Sequence, residues 1–476
     1  MKKIITLAYA VSVILAFTAC SGIGLQKDEP VNSAKEEIES PKVWKASINA
    51  TKGSGDAKSK ALSEVGGSLN TSWEAGDVVY ICDSNSDYGS LTAQSDGINT
   101  TLSGTITKTM TVGKTYTLRY LQKGQDYLYL PSQKGTLANI AKNHDMAEAS
   151  VTVQSIDGEN VVFNETEVNF ESKVSITKFT FNRSISNVSI FSSNLKTYVR
   201  PGYSANYKFI EVKPDAETNT VYVAMSHLED KKAVFLFLAK GADGLYYTAA
   251  KNVKLENGKY YKTNVTLQAM PDYVDLGIDR DGYSVCWATK NLGASRPGEA
   301  GNFYAWAETA TKTTYSWDNY AYGSYSWVTK YDPDRPDQGI VDGLASLLPE
   351  DDAATKSLGD DWRTPSLNDF KDLLNASNTE MMLSFADGIW GYCFHSIIEG
   401  YTSKFIFMPL TGGYYKESAK TDTSYGYYWS NKIEQTSWTS ASFANVLKFS
   451  KNYYSSPETG MMQRAYGLVV RPVYLK

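Results

Sequence analysis

Between residue 43 and about residue 268, apolar and polar side chains alternate in short runs separated by Gly, Asn, Asp and Ser. Residues 44–50, 78–81, 116–120, 174–181, 221–224 and 234–238 carry the clearest runs, rich in β-branched and aromatic side chains. Period-two alternation of this kind predicts strands, and the region lacks a long helical period. Short strands set between turn residues predict an antiparallel β-sandwich. Residues 72–80 can be read one by one: Trp73 plugs the core edge, Gly76 and Asp77 make a turn, and Val78 begins a strand.

The pattern changes at residues 269–272, the expected domain junction. Trp44 and Trp73 precede it, and the other eight of the ten Trp residues follow. Within 358–370, Gly359, Asp360 and Asp361 signal a turn, and Trp362, Arg363, Thr364 and Pro365 a rigid aromatic corner. Ser366 then opens a helix with Leu367, Phe370, Leu373 and Leu374 on one face, and Asp369 completes a capping-box-like pattern. Asp352, Ala353 and Ala354 start a second, shorter helical stretch. The expected fold is mainly β: a sandwich domain over 43–268, then a small α+β domain over 273–476.

At 476 residues the chain exceeds the size at which single cores stop growing, so two domains and a leader are expected. A net charge of −5, with 21% charged residues, indicates neither a nucleic-acid partner nor electrostatic membrane binding. Lys2 and Lys3, the apolar residues 4–17 and the small residues before Cys20 read as a signal peptide over 1–20. Its apolar run is short for a spanning helix. The end matches a lipoprotein signal, with Phe17 where Leu is usual. Cys20 is therefore the expected lipidation site and the outer membrane the expected anchor, with an ordinary secretory peptide cut elsewhere as the alternative. Residues 21–42 are polar, acid-leaning and without aromatic side chains, as expected of a flexible tether. Cys82, Cys286 and Cys393 then remain, too odd and scattered for a disulfide scaffold or metal framework, although Cys286 and Cys393 could pair. His144, His227 and His395 have no ligand-like spacing, so zinc is not expected.

Two resemblances follow from ordered residues. Asp275-Leu276-Gly277, Trp287-Ala288-Thr289, Asn291, Gly293-Ala294, Tyr304-Ala305-Trp306 and Glu308-Thr309 begin the first. Trp362-Arg363, Pro365, Tyr428-Trp429-Ser430 and the run from Gly467 to Val473 complete it. Together they resemble the Fibrobacter succinogenes major paralogous domain. That resemblance implies a C-type-lectin-like fold, shared with formylglycine-generating enzymes and carried by secreted and surface proteins. In the first region, Trp73, Gly76, Asp77 and Val79, residues 127–131, and Asn257-Gly258-Lys259-Tyr260-Tyr261 resemble the fimbrillin families of Bacteroidetes-type bacteria. These are lipoprotein pilins and their relatives, which implies a transthyretin-like sandwich. Polymerising members are matured by cleavage after an Arg near the N-terminus. No Arg precedes Arg119 here, so an accessory, tip or non-polymerising role is favoured over a shaft subunit. The expected function is a surface-exposed, lipid-anchored adhesin whose lectin-like head binds an extracellular glycan or protein. The alternative is a structural or accessory fimbrial subunit that joins other subunits by strand exchange.

Candidate sites follow. Arg363 and Arg471 sit in the C-terminal pattern beside apolar plugs. With Trp73, Asp77 and Trp362 they are expected to be structural, the guanidiniums meeting carbonyls or a carboxylate such as Glu308. Asp332, Asp334 and Asp337 lie in a Pro-braced loop, and converging oxygens are what calcium needs. The loop lacks an E-P-N or Q-P-D triplet, so a solvated turn is the stronger expectation. No cofactor is expected beyond this calcium candidate. No catalytic set is apparent: the formylglycine-generating relatives use cysteines late in the domain, and none follows Cys393. Binding is better served by residues 412–466, where Tyr and Trp stand among Ser, Asn and Gly. Rings of this kind supply rigid area, small polar groups supply adaptable hydrogen bonds, and ring faces stack on sugars. Trp429 belongs to the domain pattern and is expected in the core. Tyr414, Tyr415, Trp438, Tyr453 and Tyr454 lie off that pattern and are the ligand-binding candidates, with packing in a small β core as the alternative.

Overall fold

The computed structural model describes residues 42–476, apart from 53–61, 66–67, 85, 122–127, 200–206, 228–232, 333–338, 340, 415–422, 434–440 and 453–454. Cys20 and residues 21–41 of the expected tether lie outside the described residues. Among the described residues, no helix is long and apolar enough to cross a membrane.

The alternation of 44–50 becomes the strand Trp44–Thr51, in which every second side chain is buried. It pairs with Asn99–Ile106, and the ladder continues through Asp87–Ala93, Val78–Cys82 and Thr115–Leu121 to Met146–Asp157. That last strand pairs with Thr115–Leu121 through its first half and with Asn160–Phe163 through its second, and Asn160–Phe163 returns to Trp44–Thr51. The sheet therefore closes on itself, which leaves no open edge around its core. Trp73, fully buried, sits in that core with Tyr120 and Phe170 packed edge-on at 5.7 and 5.2 Å. Gly76, at φ +94°, makes the turn that leads into Val78–Cys82, a conformation that favours glycine.

A second sheet has its own core. Ser175–Phe191 pairs through its first half with Thr218–His227 and Tyr260–Val265, and through its second with Phe209–Val212 and Ala233–Gly241. An irregularity between Thr180 and Ile185 lets this one strand turn from one layer to the other. Phe179, Phe181, Phe235 and Phe237 fill the space between. The strands of 43–268 are thus divided between two cores, and some pairs are parallel, among them Tyr260–Val265 with Ser175–Phe191. One short helix, Leu137–Asn143, lies between the strands. At seven residues it spans two turns, too short to register as a helical period.

The small hairpin formed by Ser63–Val65 and Ser68–Asn70 ties the two sheets together. Its Glu64 carboxylate accepts from Lys178 (2.7 Å) and the Tyr222 hydroxyl (2.6 Å) and pairs with Lys262 (3.0 Å). Leu62 and Leu69 join an apolar cluster with Leu121, Ile140 and Ile176 below it.

Beyond residue 272 the chain is α+β. Its first strands, Tyr273–Arg280 and Tyr283–Ala288, pair with its last, Val473–Leu475, so the region closes at its own ends. A five-stranded sheet carries Tyr425–Trp429 and Phe443–Ser450 at its centre, with cores on both faces. The helix Leu367–Leu373 starts on a complete capping box between Ser366 and Asp369 and buries Leu367, Phe370 and Leu373, while Ala353–Leu358 is capped by Asp352. A third sheet, Thr379–Ala386, Ile389–Ser396 and Phe405–Pro409, packs against the preceding body. Phe407 stacks on Phe191 at 6.2 Å and Trp390 meets Phe209 edge-on at 5.4 Å. Packing therefore runs straight across residues 269–272.

Candidate ligand-binding face

The aromatic corner of the C-terminal region is an internal knot. Asp352 accepts hydrogen bonds from the backbone of Ala354, Thr355 and Thr364 and from the Thr364 hydroxyl. Burial pushes its carboxyl up, opposed by those donors. Arg363 donates to Asp369 (2.5 Å) and to the Thr364 carbonyl (3.2 Å). Trp362 leans on Tyr474 and Tyr273. Arg471 is fully buried and donates to the carbonyls of Ala288 (3.0 Å) and Phe407 (2.9 Å). Burial lowers its pKa to about 10, which still leaves the guanidinium charged at neutral pH. Glu308 meets neither Arg: it pairs with Lys312 at 2.5 Å and accepts from the Ala321 N–H.

A third guanidinium, which the sequence did not single out, organises the outer loops. Arg464 is buried over the Trp306 ring at 4.8 Å. It donates to the carbonyls of Lys330 (2.8 Å), Ala441 (2.9 Å) and Tyr331 (3.3 Å) and to the Tyr320 hydroxyl (3.0 Å). A planar fork of donors suits this role, since it holds several carbonyls in fixed directions. Two loops far apart in sequence are thereby held to one point.

Above that anchor stands a tight hairpin. The Thr329 N–H donates to the Tyr322 carbonyl, Gly323 bridges Val328, and Ser324 and Trp327 exchange backbone hydrogen bonds, which leaves Tyr325 and Ser326 at the tip. Gly323, at φ +104°, is needed here, because a Cβ would meet the Trp327 carbonyl at 2.3 Å. The base is held by Asp351, which accepts from Tyr322 (2.7 Å), Tyr331 (2.5 Å) and Lys330 (2.5 Å). Burial works to raise the Asp351 carboxyl, but these donors outweigh it and hold the pKa below its ordinary value. The Ser442 hydroxyl donates to the Tyr325 carbonyl, and Val328 is fully buried. The hairpin is pinned, yet Tyr325 is 50% exposed and Trp327 51%. Tyr325 lies edge-on to Trp317 at 5.9 Å, whose indole N–H donates to Gln463 at 2.9 Å.

Of the candidates from the sequence, Tyr414 is half-buried and packs on Phe303 (4.9 Å) and Tyr315 (5.3 Å). Tyr415, Trp438, Tyr453 and Tyr454 lie outside the described residues. In the same run, Tyr428 and Trp429 are buried, and the Trp429 indole donates to the Tyr304 carbonyl. Tyr425 is left exposed, stacked on Tyr427 at 6.0 Å. In the acidic loop Asp332 is buried, and its N–H and that of Tyr331 donate to the Asp342 carboxylate. Asp334 and Asp337 lie outside the described residues, and no cluster of three or more His, Cys, Asp or Glu that could hold a metal occurs among the described ones. Cys82, Cys286 and Cys393 are unbonded to one another and buried; burial pushes the Cys286 thiol up to about 11, away from the thiolate.

No protein family's sequence profile matches this chain, and no curated protein matches it. Among solved structures it is similar to the tip fimbrial protein Mfa3 of Porphyromonas gingivalis with a C-terminal truncation, at 11% identity and a TM-score of 0.26, over 45% of this chain and 83% of that one. It is similar to a candidate cell adhesion protein of Bacteroides uniformis at 15% identity and a TM-score of 0.29, over 47% and 92%. It is also similar to the shaft pilin SpaA of Lactobacillus rhamnosus GG at 9% identity and a TM-score of 0.21, over 48% and 99%. At these values no residue of this chain takes a role from them.

Proposed function

We propose that this protein is a lipid-anchored adhesin of the outer-membrane surface, without catalytic activity. Its two N-terminal β bodies serve as a stalk, and its C-terminal region is a lectin-like head that binds an extracellular ligand. One observation carries the reading: a hairpin pinned at its base, flank and tip holds two large aromatic rings half in solvent. A ring fixed in place before contact binds with little loss of conformational freedom. The test is adhesion of cells displaying the full chain to immobilised extracellular matrix and mucin. Binding is expected from the native chain and lost from the Tyr325→Ala/Trp327→Ala double variant. Equal adhesion by both would remove the hairpin from the function. Lipid anchoring has its own check: Cys20→Ala is expected to abolish radiolabelled palmitate incorporation and release the protein from the membrane fraction.

A second role, as a fimbrial subunit joined by strand exchange, is favoured by one edge. Tyr246–Val253 pairs along its whole length with Ala233–Gly241, but on its other side, among the described residues, its pairing stops at Thr248, with Tyr246 accepting from the Met270 N–H. Residues 249–253 therefore offer backbone to an added strand. Polymers appearing on native gels after limited proteolysis would support this role.

A further inference from the structure

We propose, resting on the surface-binding role above, that the head's ligand is a glycan, laid against Tyr325 and Trp327 with no metal ion in the contact. A pyranose has one apolar C–H face and a rim of hydroxyls. It is matched by a ring open on one side with short hydrogen-bonding groups beside it. The hairpin tip has that make-up: Tyr325 and Trp327 alternate with Ser324 and Ser326, all four exposed. The Gln463 amide is held beside the Tyr325–Trp317 pair by the Trp317 indole.

A protein partner would call for something else. Stable protein interfaces bury about 800 Å² on each side around a continuous apolar centre. Between Trp317 and Lys330 the exposed large apolar side chains are Tyr325 and Trp327 alone among the described residues, with Ser324 before the first and Ser326 between them. Two such rings fall well short of a protein footprint.

The metal-free part has a separate basis. A cation in a sugar site needs carboxylates with free oxygen lone pairs converging on it. Among the described residues, the two carboxylates that brace this hairpin and the loop after it, Asp351 and Asp342, are committed to internal donors. Asp351 is taken by Tyr322, Tyr331 and Lys330, and Asp342 by the N–H groups of Tyr331, Asp332 and Leu344.

The test uses the full chain and immobilised gastric mucin as the probe, in four states: untreated, periodate-oxidised, protease-digested, and untreated with EDTA present. Periodate opens sugar rings and leaves the polypeptide, whereas protease does the reverse. Binding is expected to disappear after periodate and to survive both protease and EDTA. Trp327→Ala is expected to weaken binding at least about tenfold, the scale of an interface hot spot. Trp327→Phe, which keeps a ring, is expected to retain most of it, and an unchanged thermal melt for both variants confirms the fold. Binding that survives periodate and vanishes with protease would overturn the glycan ligand while leaving the surface-binding role in place. Loss on EDTA would overturn the metal-free contact. If neither the chain nor cells displaying it bind any surface offered, the surface-binding role itself fails.

Discussion

Lys52 buries its ammonium 3.4 Å from Asp77, with the rings of Trp73 and Tyr120 centred 4.3 and 4.1 Å away. Taking such a charge out of water costs several kcal/mol, offset here by the carboxylate and two ring faces. Asp77 also closes the Gly76 turn by accepting from the Glu74 N–H. Asp77→Ala is therefore expected to cost about 3–5 kcal/mol in urea unfolding, because a charge stays buried after its partner is removed. Lys52→Met combined with Asp77→Leu should cost far less. An equal loss in both would mean that the site depends on the turn and not on the charge. The tip of the outer hairpin behaves in the opposite way. Trp327 is half in solvent, so Trp327→Ala should change stability by no more than about 0.5 kcal/mol.

At the scale of elements, the hairpin of Ser63–Val65 and Ser68–Asn70 depends on one carboxylate. Hydrogen bonds from Lys178 first, then Tyr222 and Lys262, hold the Glu64 pKa down to about 2 against an ordinary 4.5. A carboxyl whose pKa is lower folded than unfolded stabilises fully above the unfolded value and loses that contribution as protonation proceeds. The docking should thus be intact above pH 4.5 and weaken as the pH falls toward about 2. The protection of residues 63–70 against hydrogen exchange, measured relative to the intrinsic rate at each pH, is expected to fall over that window in the native chain. In Glu64→Gln the protection should be low already at pH 6 and nearly flat below. A native chain with no change over the window would show that Leu62 and Leu69 hold the hairpin without the charge.

Across the whole molecule, the C-terminal region and the second sheet share one apolar cluster, with Phe191, Phe209, Leu236 and Leu238 facing Phe405, Phe407 and Cys393. Polar contacts border it: Asp387 pairs with Arg296 at 2.6 Å and accepts from the Tyr246 hydroxyl at 2.8 Å. A force on the C-terminal region would therefore pass into the second sheet through packed rings. Calorimetry should show these two bodies melting in one transition. Phe407→Ala, expected to cost about 3–5 kcal/mol, should separate that transition into two. A single transition in the variant as well would mean that the contact does not couple them.

Much of this architecture is written locally. Period-two runs marked the strands from Trp44–Thr51 to Ala233–Gly241, and the Ser366 and Asp369 spacing marked the capped helix, because alternation and capping depend on neighbours a few residues apart. The equally short helix after Thr136 escaped because Asn139 stands where Asp369 completes the other helix's capping box, and two turns without that signal show no clear period. What sits on the surface was far less legible. The dense aromatic run at 425–429 announces itself, yet its Tyr428 and Trp429 are core. The pinned and exposed rings lie instead at Tyr325 and Trp327, where Gly323, Ser324 and Ser326 were the only local signal of a turn. Their exposure is decided by Asp351, Ser442 and Arg464, up to 139 positions away in sequence (464 − 325). The sequence alone determined which residues alternate, turn and cap. Only the tertiary structure decided which rings face the core and which face solvent, because that depends on long-range closure that no local pattern encodes.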